Sequence, residues 1–180
     1  ATSRLDIRNT SGASYLNLGW HGIVKKGSSM FGLTGVAATN DQGTSSIDIQ
    51  GGSVTLEVGS TLSGGSNNVM AVRSGAYFDF YDIYAPIAWS LNLDAGSRLY
   101  VRNGTVTNHN IWAGPVTLGG STTFESGGTY IDTYAGVISG TGPLVKTGSD
   151  HGITYLSNTN NAWTAGTTVS SAILYAPDPE

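Results

Sequence analysis

Carboxylates, histidines and a dense run of aromatic rings are the side chains of this chain able to do chemistry, and their spacing limits which chemistry is open. A glycan-cleaving site needs two carboxylates on one face, one to give a proton and one to attack or to activate water. Asp79 and Asp82 are three residues apart, so on a strand they face opposite sides. Asp48 and Glu57 each stand at the variable position between two apolar residues, the solvent side of a strand, and Asp6 and Asp94 read as turn-adjacent or exposed. A polysaccharide lyase would also want a basic residue close to the acids, and Arg73 is the nearest upstream candidate. No ordered acid–base constellation emerges, so the chain reads as non-enzymatic, with a polysaccharide-cleaving β-helix as the third reading behind the two given below.

The three histidines, His21, His109 and His151, are isolated, each beside Gly or Asn, and read as turn residues rather than metal ligands. Cysteine is absent, which excludes disulfide scaffolds and Cys-based zinc sites. Calcium-binding Gly-Gly-x-Gly-x-Asp repeats and a Gly-x-Ser-x-Gly elbow are also missing, and the Gly-rich segments precede no helix that could cradle a phosphate. No cofactor and no metal are expected.

The densest aromatic stretch is Tyr77-Phe78-Asp79-Phe80-Tyr81-Asp82-Ile83-Tyr84, followed by Trp89. With Phe78 and Phe80 inward, Tyr77, Asp79 and Tyr81 face solvent together. Outward tyrosines beside a carboxylate, with Trp89 close by, could stack on a sugar ring while the Asp accepts its hydroxyls. The competing reading has the larger rings filling a wide coil or covering a sheet face, with the Tyr hydroxyls reaching water.

Those residues must be positioned by the phrase that recurs along the chain: two apolar residues flanking one variable residue, then a Gly- or Asn-bearing turn. It appears as Leu5-Asp6-Ile7, Leu16-Asn17-Leu18, Ile47-Asp48-Ile49, Leu56-Glu57-Val58, Met70-Ala71-Val72, Leu91-Asn92-Leu93 and Leu99-Tyr100-Val101. Apolar residues two apart share one face, so each phrase is a short strand with one buried side. Strands this brief must stack on one another to bury enough surface. Helix is nearly excluded by 26 glycines and by the dominance of Ser, Thr and Val. Paired glycines, Gly51-Gly52, Gly64-Gly65, Gly119-Gly120 and Gly127-Gly128, mark tight corners.

A sandwich would carry hairpin turns, and Asn103-Gly104 is the one such dipeptide. Short strands with frequent corners fit a parallel β-helix better. At roughly 20 residues per coil the chain would make about nine coils rising about 40 Å. The segment from Lys25 to Thr44 lacks the phrase, and its apolar centre Met30-Phe31-Gly32-Leu33 reads as a folded-back loop lying on the solenoid.

Composition narrows the partners. The chain of 180 residues is 39% hydrophobic and 9% aromatic, too apolar for a disordered linker, so residues 1–180 read as one folded solenoid domain. Charged residues are only 11%, the net charge is −4, and Lys25-Lys26 is the longest basic run. A nucleic-acid binder would need a concentrated basic face. No apolar run nears 18 residues and no charged-then-apolar leader is present, so this segment is expected to be soluble and not to insert into a membrane, with any export signal lying elsewhere or removed.

The C-terminal third is more specific. Gly136-Val137-Ile138-Ser139-Gly140-Thr141-Gly142-Pro143-Leu144-Val145-Lys146-Thr147-Gly148 resembles the Gly-x-Ile-Ser-Gly-x-Gly-x-Leu-x-Lys-x-Gly signature of the passenger-associated β-strand repeats of bacterial autotransporters. The continuation from Ile153 through Asn161-Ala162-Trp163-Thr164-Ala165-Gly166-Thr167-Thr168-Val169 to Leu174, and the preceding Ala113-Gly114-Pro115-Val116, are similar to that family as well. Residues 113–174 carry the resemblance; residues 1–112 share only the short-strand style. Departures are Trp163-Thr164-Ala165-Gly166 where Thr-Gly-Gly is usual, Ser171-Ala172 where Gly is common, and Asp150-His151 inside the usual Gly-Thr-Leu. The resemblance implies a right-handed parallel β-helix from an extracellular or outer-surface bacterial protein, with no catalytic residues to carry over. The leading expectation is therefore a non-catalytic stalk or filament-forming scaffold, self-associating through open solenoid ends. The alternative is an adhesin binding a glycan or host-surface ligand through Tyr77, Asp79, Tyr81 and Trp89.

Overall fold

A computed structural model describes residues 3–9, 14–40, 43–102 and 110–176. Asn103-Gly104, His109 and the terminal Pro177-Asp178-Pro179-Glu180 lie outside the described residues. Among the described residues there is no helix, and every strand pair is parallel. The chain winds as a β-solenoid of roughly seven turns, each visiting three faces in turn.

The longest face stacks eight strands: Arg4–Arg8, Met30–Thr34, Ser53–Glu57, Tyr77–Tyr81, Arg98–Val101, Thr122–Ser126, Leu144–Gly148 and Thr167–Val169. A second face stacks seven, from Gly22–Lys25 to Ala162–Trp163. The third is split into a three-stranded sheet beginning at Ser14–Asn17 and a four-stranded sheet ending at Ile173–Tyr175. The split falls where Asp82 to Trp89 runs irregularly, tied to the next coil by a lone bridge from Ile87 to Trp112.

The recurring apolar–variable–apolar phrase produces this arrangement because parallel, in-register stacking turns each inward position into a column. One column runs Ile7, Leu33, Leu56, Phe80 and Val101; another runs Ile47, Met70, Leu91, Val116 and Ile138. Apart from Ile7 at the open end, these side chains are sealed from solvent and form one continuous core. The large rings cluster beside the split in the third face. Phe78 and Phe80 stack at 5.4 Å between centroids, and Trp112 meets them edge-on at 5.8 and 6.4 Å. The wider interior there is filled by aromatic volume.

Two sequence expectations need correction. Register steps of 20 residues, from Ile153 to Ile173, and 26, from Leu5 to Phe31, bracket the coil length, so seven steps span the molecule rather than nine. At the usual inter-strand spacing the rise is about 34 Å. Second, Met30-Phe31-Gly32-Leu33 is not a folded-back loop. It belongs to a long-face strand, with Phe31 and Leu33 in the inward columns, and Val36–Thr39 follows as a strand of the third face. Gly32 stands at the outward position, where a Cβ would run into Asp6 and Arg4, so a polar cross-coil cluster displaces the usual variable residue.

The corner glycines divide into two kinds. Gly52, Gly64 and Gly128 take positive φ, as a tight bend requires. Gly120 does not; a Cβ there would instead strike Ala95 of the preceding coil.

Candidate functional site

The outward positions of the long face collect most of the charge in the N-terminal and central coils. Strand alternation sends Arg4, Asp6 and Arg8 outward from the first coil, Thr34, Thr55 and Glu57 from the next two, and Tyr77, Asp79, Tyr81, Arg98 and Tyr100 from those above. Arg102 follows directly after the strand Arg98–Val101.

These side chains form two linked ion-paired groups. Arg4 Nη2 lies 2.7 Å from Glu57 Oε1, and Arg4 Nε donates to Asp6 Oδ1 at 2.5 Å. Arg8 reaches Asp6 at 3.2 Å and Glu57 at 3.9 Å, while Thr34 Oγ1 donates to Glu57 Oε2 at 2.9 Å. Glu57 is thereby only 3% exposed, although it stands on the outer side where solvent was expected. Its hydrogen bond raises the Arg4 pKa, and burial followed by the nearby Glu57 charge raises that of Tyr81. Burial pushes the Asp6 carboxyl up, but the hydrogen bonds from Arg4 and Arg8 outweigh it and hold the group below its ordinary range.

In the second group Arg102 Nη2 approaches Asp79 Oδ2 to 3.0 Å, and Arg98 Nη1 approaches Glu125 Oε2 to 3.1 Å. The Arg98 guanidinium sits 5.0 Å from the Tyr77 ring centre and 5.2 Å from that of Tyr100; Arg102 is 4.9 Å from Tyr100. Asp79 is fully buried beneath this layer. Desolvation lifts its pKa to about 6 against the opposing pull of Arg102 and Arg98.

The sequence-predicted residues therefore separate. Tyr77, Asp79 and Tyr81 share the outer face as strand parity required, with Phe78 and Phe80 inward. Asp79 is nonetheless covered, so its carboxylate is not displayed to bulk solvent. Trp89 does not belong to the surface: it is fully buried, and its indole N–H donates to Ser63 O at 2.8 Å. It lies just outside any alternating strand of its coil, so parity could not place it. Arg4 and Arg102 were missed because only coil-to-coil register brings them beside Glu57 and Asp79.

Elsewhere on the surface, Arg73 bridges Asp48 at 2.6 Å and Asp94 at 3.6 Å, joining acids from coils below and above. Burial pushes Asp48 up, but Arg73 and Gln50 more than offset it. His21 and His151 are exposed. Among the described residues no group of three or more His, Asp or Glu could hold a metal ion.

A second polar cluster lies inside the solenoid. Lys146 shares the inward parity of Leu144 and is fully buried. Its Nζ donates to Ser126 Oγ at 2.6 Å and to Thr147 O at 3.0 Å. Ser126 Oγ in turn donates to Asp132 Oδ1 at 2.7 Å, and Thr154 Oγ1 donates to the same carboxylate at 2.9 Å. Burial lifts the Asp132 pKa to about 6, opposed by Lys146 and the hydroxyl donors, and lowers that of Lys146. The parity of Leu-x-Lys was a signal that could have placed Lys146 inside. Sealed from solvent, this cluster has no route to a substrate.

Neither a family model, nor a curated protein, nor a solved structure matches the chain.

Proposed function

We propose that the chain is a non-catalytic, structural β-solenoid segment of a bacterial extracellular or cell-surface protein, acting as a stiff stalk or filament-forming scaffold. One observation carries this reading: the inward columns run through every coil and end uncovered. Leu5 is 69% and Ile7 38% exposed at one end, and Val169 is 51% exposed at the other. Strand edges at both ends are where a further coil, from the same chain or another copy, would stack. The titratable groups that could have served catalysis are tied to one another across coils, which stiffens the rod. The surface location rests on the resemblance of residues 113–174 to passenger-associated repeats and on the lack of cysteine.

Negative-stain electron microscopy over a concentration series tests the proposal. Filaments one solenoid wide should lengthen with concentration; short isolated rods throughout would remove filament formation and leave the stalk. Release of reducing ends or unsaturated products from uronate polymers would overturn the scaffold reading.

A further inference from the structure

A hollow of about 360 Å³ opens on the outer face of the long sheet, lined by Ser3, Arg4, Ser28, Met30, Tyr77 and Arg102. That volume is at the small end of ligand pockets. Register explains the recess: Met30 and Tyr77 stand two coils apart in one outward column, with only the small Ser53 between them. Arg4 begins that column one coil below Met30. Arg102 joins from just beyond the end of its strand, with Nη2 reaching Asp79 Oδ2.

Charge is layered here. The lining holds two guanidiniums and no carboxylate. The Arg4 and Arg102 side chains are 34% and 41% exposed, whereas those of their partners Glu57 and Asp79 are 3% and 0% exposed. Asp6, the second partner of Arg4, is no part of the lining either. A ligand in the hollow would therefore meet the cations directly and the acids only from behind them. Coulomb energy falls with distance and with screening, so the nearer sign prevails. Each guanidinium carries five N–H donors, more than these ion pairs use, and its planar fork matches the oxygens of an acid group.

The rest of the lining selects among anions. Tyr77 and Met30 give an apolar wall that a small inorganic anion would leave uncovered, whereas the C–H face of a sugar ring would pack on it. Ser3 and Ser28, both exposed, offer hydroxyls that can exchange hydrogen bonds with those of a sugar.

We propose that this hollow binds an acidic sugar residue, its carboxylate or sulfate on Arg4 and Arg102, its ring against Tyr77 and Met30, and its hydroxyls toward Ser3 and Ser28. The site differs from the surface patch expected from sequence: of those four residues only Tyr77 touches the ligand. It stands whether or not the coils serve as a rod.

The test is a glycan array carrying uronate-bearing, sulfated and neutral glycans, followed by calorimetric titration of the strongest binder at low and high salt. Acidic glycans should bind in preference to neutral ones and lose affinity as salt rises. Binding by either the carboxylated or the sulfated form supports the proposal and identifies the acid. Ser28→Glu places a carboxylate on the rim and should weaken binding about three- to tenfold; Ser28→Lys should tighten it by about as much. Ser28 lies outside the core, so neither change should move the unfolding midpoint. Failure to bind any acidic glycan, equal binding of neutral glycans, or an affinity that Ser28→Glu and Ser28→Lys leave unchanged or shift in the same direction would each overturn the proposal.

Discussion

Lys146 is the residue least expected in a solenoid core, and its setting shows how the interior tolerates charge. Moving an ammonium or a carboxylate out of water costs several kcal/mol per ion, which partners must offset. Ser126 supplies the link, touching both Lys146 Nζ and Asp132 Oδ1. Lys146→Met should therefore destabilise the fold by about 3–5 kcal/mol, because Asp132 stays buried without its cation. Lys146→Met with Asp132→Asn should recover most of that loss in urea unfolding, whereas additive effects would show that the two groups do not communicate. The pH dependence has a definite sign. The folded Asp132 pKa of about 6 is above the ordinary value of 3.8, so its contribution is fully present below pH 3.8 and is lost as pH rises through 6. Asp79 adds a decline in the same window. Asp132→Asn should flatten the midpoint-versus-pH curve between about pH 4 and 7 without removing the Asp79 share, and an unaltered slope would show that Asp132 does not titrate there.

Between residue and molecule, the coil is set by how closely successive turns approach. In the stretch resembling the passenger repeat, a Cβ on Gly136 would meet the Gly114 carbonyl, one on Gly142 the Gly120 carbonyl, and one on Gly148 the Ser126 carbonyl. These glycines stack backbone upon backbone rather than merely bending the chain. Gly136→Ala or Gly142→Ala should cost about 1–3 kcal/mol, the usual cost of overpacking. Gly65 has open space at its Cβ position and no positive φ, so Gly65→Ala should be neutral or stabilise by about 0.4–1 kcal/mol. Equal effects at all three sites in thermal unfolding would reject close stacking as the cause. The contrast also marks what could be read from sequence. Strand phrases and the inward parity of Phe78 and Phe80 are local, so they were legible. Coil length was not, because corners of unequal length and the outward Gly32 broke the phrase that would have been counted. The polar outer face was half legible: parity grouped Tyr77, Asp79 and Tyr81, but the partners Arg4 and Arg102 arrive from other coils. No local pattern encodes that register.

Over the whole molecule, stability should be distributed along the axis rather than held in one centre. Each coil pairs only with its two neighbours, so the ends lose half of the contacts that the middle enjoys. The columns show it directly: Leu33, Leu56, Phe80 and Val101 are sealed, whereas Leu5 and Val169 at the two ends are more than half exposed. Local opening free energies should therefore fall from the central coils toward both termini. Native-state hydrogen exchange followed by mass spectrometry should find the slowest amides in the strands Ser53–Glu57, Tyr77–Tyr81 and Arg98–Val101. Amides of Arg4–Arg8 and Thr167–Val169 should exchange faster by orders of magnitude. Protection that is uniform along the chain at low concentration would contradict nearest-neighbour stacking. Raising the concentration adds a second discrimination, because stacking of copies end to end covers the outermost strands alone. Selective slowing of Arg4–Arg8 and Thr167–Val169 would locate the contact at the open edges, while slowing of the outer face around Tyr77 would place it on the side of the solenoid instead.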